Sequence, residues 1–220
     1  MILSDIEIHT DLPDIKSVYH GNELHLCDLF LRSLNGLTTP STKKLVIVLQ
    51  KAGVDLFVKK QREKAIVLLD IIEFYKDFDS AKYEQADISE KKEILWAIIF
   101  DSILSCARQL NWNIGQIENA YRKGLELKLE NSWVHTDRLA SKDKQLFATV
   151  TVHFDFYAFK VFVDIRNTSG VTVVHRKVID RAPDWGWYSF KQFDFSKWTS
   201  AREFCLGLSK EDPNKIVVGV

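Results

Sequence analysis

The chain is poor in residues that interrupt regular structure, with four prolines and nine glycines among 220 residues. That scarcity excludes collagen-like repeats and long Pro/Gly-rich linkers. Cysteine is rare too. Cys27, Cys106 and Cys205 are isolated, odd in number and form no C-x-x-C pair, which excludes a disulfide framework and a zinc knuckle. An excess of one charge sign is missing, because 30 Lys+Arg balance 30 Asp+Glu. Nucleic-acid binders draw most of their affinity from a basic surface, so nucleic acid is not the expected partner. The most apolar stretch, 94–104, contains Asp101 and is far too short for a membrane span. No membrane association is expected. Residues 1–10 hold two acids and no Lys or Arg, unlike the start of a secretory leader, and a reducing cytoplasm is the expected location. There is no phosphate-binding glycine loop and no G-x-S-x-G elbow, so no cofactor is expected. His20, His25 and Cys27 lie close in sequence but lack a completing ligand set, so no metal is expected either.

What is present is an ordinary globular composition, 46% hydrophobic and 27% charged. A chain of this length buries roughly 70% of its unfolded surface and needs no covalent staple. The zero net charge conceals blocks: −5 over 1–30, +6 over 31–62, −4 over 63–93 and +5 over 138–202. Such alternation fits internal pairing, or a mosaic surface for a protein partner.

Capping and periodicity predict five helices in the first part: 22–34, 40–51, 55–75, 89–110 and 113–130. Asn22 and Asn113 are N-cap candidates, and Thr39-Pro40 reads as a cap followed by proline at the first helical position. From Phe147 the pattern alternates with period two, changes phase near Tyr157, turns at 167–170 and continues over 171–179. A short helix over 200–208 and a last strand over 216–220 follow. The alternation of Ile2, Ser4, Ile6 and Ile8 suggests a first strand joining the same sheet. The expected fold is α+β: about five helices, then one antiparallel sheet. The expected parts are a mainly helical region at 1–135 and a β region at 145–220, together one compact unit.

Four features stand out as candidate sites. Asp101, within an apolar helix, is expected to be buried and paired. Glu63, Asp70, Glu73 and Asp77 align at near-helical spacing with Ile66, Val67 and Phe74 between them, as a docking stripe for a basic protein would. Trp185, Trp187 and Tyr188 form an aromatic loop of the composition that dominates binding hot spots. His153 and Asp155 share a strand face, and a two-residue loop at Ser169-Gly170 would set Asp164 opposite His175. An Asp–His pair can orient an imidazole as a general base, which gives an alternative reading as a hydrolase. A third reading has the basic, aromatic C-terminal half binding nucleic acid. The favoured reading is a cytoplasmic protein-binding or inhibitor protein without catalytic groups. Toxin-neutralising immunity proteins are of that type, although no residue here carries a match to one.

Overall fold

The computed structural model describes residues 1–10, 23–51, 64–183, 195–207, 212 and 215–220. The chain divides into two units, Met1–Asn131 and Ser132–Val220. The first is built on a sheet of β1 (Asp5–His9), β2 (Lys44–Lys51), β3 (Ala65–Leu68) and β4 (Ile71–Phe78), in the order β1-β2-β4-β3. β1 and β4 both run parallel to β2, and β3 is antiparallel to β4. Four helices accompany it: α1 (Leu24–Leu34), α2 (Ser80–Gln85), α3 (Ile88–Leu110) and α4 (Ile114–Glu126).

This overturns the expectation of five helices ahead of a single sheet. The described residues form four helices and three sheets. The expected helix at 40–51 is strand β2. Its run Leu45-Val46-Ile47-Val48-Leu49 is the continuous apolar pattern, β-branched at its centre, of a strand flanked by parallel neighbours. The capping signal at Thr39 is real but closes only a turn, since Thr39 Oγ1 accepts from the Thr42 amide at 3.0 Å. The described part of the expected helix at 55–75 is the β3–β4 hairpin. Its two-residue turn, Leu69-Asp70, uses leucine at φ +59°, where glycine is usual. The first strand pairs with β2 and not with the C-terminal sheet.

Helices α1 and α3 cover one face of the sheet, and α4 packs on both of them. Ile6, Ile8, Leu45, Ile47, Leu49, Ile72 and Phe74 are buried beneath them. Trp96 of α3 is fully buried, with its ring 4.8 Å from Phe30 of α1. Gly124 of α4 lies flat on the Trp96 ring; a Cβ there would sit 2.0 Å from Cζ2. The α3 N-terminus carries a capping box: Asp87 accepts from the Glu90 amide at 2.9 Å, and Glu90 accepts from the Asp87 amide at 2.9 Å. Asp101 corrects the expectation of a buried pair. It is partnered by Lys76 at 3.4 Å but is 52% exposed, because Ala97, Asp101, Ser105 and Arg108 form the outer stripe of an amphipathic helix.

The second unit holds an antiparallel meander of β5 (Asn131–Ala140), β6 (Leu146–Phe154), β7 (Phe159–Asn167) and β8 (Thr172–Arg181). The phase change near Tyr157 is the four-residue turn of the β6–β7 hairpin. A smaller sheet of β9 (Phe195–Trp198), β10 (Glu203–Gly207) and β11 (Ile216–Gly219) has the order β11-β10-β9. Strand β10 stands where a short helix was expected. Trp198 Nε1 donates to the Leu139 carbonyl at 2.8 Å, tying the two sheets. Among the described residues, no helix is long and apolar enough to cross a membrane.

Candidate functional site

Two surfaces bring the candidate residues together. The first is the face of the β1-β2-β4-β3 sheet opposite the helices. Strict alternation puts Asp5, Glu7 and His9 of β1 beside Lys44, Val46 and Val48 of β2. The same β2 residues, with Gln50, lie beside Ile71, Glu73, Tyr75 and Asp77 of β4. These side chains are half-buried, except His9 and Asp77, which are exposed. The acidic stripe is therefore carried by a strand and its turn, not by a helix. Asp70 lies in the β3–β4 turn and meets Lys43 at 3.3 Å. Glu73 accepts from Tyr75 Oη at 3.0 Å. Glu63, Trp185, Trp187 and Tyr188 lie outside the described residues.

Lys44 Nζ reaches Asp5 at 3.2 Å and is also bonded to Glu7. Burial pushes the Asp5 carboxyl above its ordinary range, against the pull of Lys44. Burial also works against the Glu7 charge, but Lys44 and His9 outweigh it and hold that carboxyl low. Asp5 Oδ1 is buried with no donor among the described residues. The face thus carries Asp5, Glu7, Glu73 and Asp77 against Lys44, with Val46, Val48, Ile71 and Tyr75 between them. The sequence pattern had pointed to Glu73 and Asp77. It missed Asp5 and Glu7, for which the D-I-E-I-H alternation was the available signal.

The second surface is the polar face of the β5–β8 sheet. The register sets Asp164 opposite His175, with His175 Nδ1 at 2.7 Å from Asp164 Oδ1. His153 Nδ1 lies 2.9 Å from Ser132 Oγ. Phe162 stands between the two imidazoles, edge-on to His153 at 5.2 Å and stacked on His175 at 5.6 Å. Asp155 lies in the hairpin loop, and its Oδ1 accepts from the Phe156 amide at 2.7 Å.

Nucleophile–base–carboxylate catalysis needs one imidazole held between a hydroxyl and an acid. Here the serine and the aspartate serve different histidines, and Phe162 separates them. Among the described residues, no group of three His, Cys, Asp or Glu side chains could hold a metal ion.

No protein-family profile, curated protein or solved structure matches this chain.

Proposed function

We propose that this protein binds a basic protein partner, as an inhibitor or adaptor, through the face of its first sheet opposite the described helices. The carrying observation is the composition of that face. Four acids set against one lysine alternate with half-exposed valine, isoleucine and tyrosine. Apolar area of this kind supplies affinity, while surrounding acids steer a cationic partner and fix its orientation. The separated Ser132–His153 and Asp164–His175 pairs give the hydrolase alternative no complete catalytic set. Three free, buried thiols fit residence in a reducing cytoplasm.

The test is affinity capture from native lysate with the wild-type chain and with Glu73→Lys/Asp77→Lys, read by mass spectrometry. A basic protein held by the wild type and lost by the folded double variant is the expected result. Equal capture by both would overturn the reading.

A further inference from the structure

A cleft of about 330 Å³ opens on the polar face of the second unit, at the end of the sheet near the β7–β8 turn. Its lining includes Arg138, Phe147, Thr149, Thr151, Asp164 and Arg166. Arg138 sits at φ +46° within strand β5. A non-glycine residue in that region is sparsely populated, and such outliers concentrate where a side chain must be aimed. The aim here is definite. The Arg138 guanidinium lies over the Phe147 ring, 5.3 Å from its centroid, and the Arg138 amide donates to Thr149 Oγ1 at 3.4 Å. Arg166 stands directly across the ladder from Phe147. One guanidinium thus lies over the aromatic ring, and a second arginine, on the facing strand, lines the same cleft.

Neither arginine has a carboxylate partner among the described residues, whereas Asp164, the acid on the neighbouring pleat, is already bonded to His175. Uncommitted guanidinium forks match a planar anion and gain most where water is partly excluded. Phe147 offers a surface for the remainder of the ligand, and Thr149 and Thr151 offer hydroxyl donors.

We infer that this cleft binds a small organic anion, a carboxylate or phosphate monoester attached to an apolar or aromatic body. Asp137 and Asp164, which also line the cleft, limit the charge the site accepts. A polyphosphate would meet both acids, while a single anionic group meets only the arginines.

The experiment is amide-resolved NMR titration of the full chain with sodium benzoate, phenyl phosphate and neutral benzamide. Saturable shifts at Thr149 and Thr151 are expected with the anions and not with benzamide. Whichever anion binds more tightly identifies the head group as carboxylate or phosphate. Arg138→Gln and Arg166→Gln should each weaken binding about tenfold or more, the scale of a lost charged hydrogen bond. Their spectra elsewhere should remain those of the wild type. Silence from both anions, an equal response to benzamide, or affinity kept within about twofold in either folded variant would overturn the inference.

Discussion

Two buried positions show how closely individual residues are constrained. Gly124 has no room for a methyl group, because the Trp96 ring occupies the place of its Cβ. Trp96 cannot withdraw easily. Its Nε1 donates to the Tyr121 carbonyl at 3.3 Å, and Phe30 closes its other side. Gly124→Ala should therefore destabilise the fold by about 1–3 kcal/mol, the usual cost of overpacking, despite the better helix propensity of alanine. Chemical denaturation of the two proteins checks this. Asp28 is the second case. Burial raises its carboxyl to about 6, opposed by the hydrogen bond from Asn131 Nδ2 at 2.8 Å and by Arg32 at 3.8 Å. The folded state therefore takes up this proton at a higher pH than the unfolded chain does. The resulting stability is fully present below about pH 4, falls as pH rises, and is gone above about pH 6. Asp28→Asn keeps an acceptor for Asn131 and removes the titration. The stability difference between variant and wild type should grow on the order of 3 kcal/mol from pH 4 to pH 7, as measured by urea unfolding across that range.

The β3–β4 hairpin shows why secondary structure was only partly legible. The sequence A-I-V-L-L-D-I-I contains no glycine, asparagine or proline to announce a turn. The structure makes one at Leu69-Asp70 by holding leucine at φ +59° and 94% exposed. Leu69→Gly should stabilise the protein by about 1 kcal/mol, because the strain disappears and little burial is lost. An unchanged or lower thermal midpoint would refute that account. Where local chemistry and final structure agree, the reading was close. Helix α3 was expected at 89–110 and occupies Ile88–Leu110. The Asn113 cap of α4 is made through the Gln116 amide at 3.1 Å. Strands of the meander followed the period-two pattern. Strand β2 was misread because a strand buried between parallel neighbours lacks alternation, and its tertiary setting outweighed the cap before it. The site was less visible than the elements. Arg138 and Arg166 are 28 residues apart, and nothing in the spacing reveals that both line one cleft with Phe147.

For the molecule as a whole, charge blocks that alternate along the chain are partly neutralised within the first unit. The acidic opening segment and the acidic β4 region both lie beside the basic start of β2. Lys44 meets Asp5 and Glu7, and Lys43 meets Asp70. Glu73 accepts from Tyr75 on its own strand, and Lys76 turns to Asp101 of α3, so the local field of the sheet face is acidic although the net charge is zero. Net neutrality removes long-range attraction to polyanions and leaves steering to such local fields. Reactive thiol chemistry is likewise suppressed. All three cysteines are buried, and burial pushes the Cys106 thiol up to about 12.

The β7–β8 hairpin has one consequence for how its length can vary. Four residues, Thr168 to Val171, separate its strands, and the Asn167 amide donates to the Val171 carbonyl at 3.0 Å. Val173 is left without a partner in the ladder, between Thr172 opposite Arg166 and Val174 opposite Ile165. That extra residue returns His175 to the side of the sheet facing Asp164. The strand contains a second such joint at Val178, between Lys177 opposite Phe162 and Ile179 opposite Val161. Removing one valine of the Val173-Val174 pair would straighten the ribbon at the first joint and keep the imidazole on its aspartate.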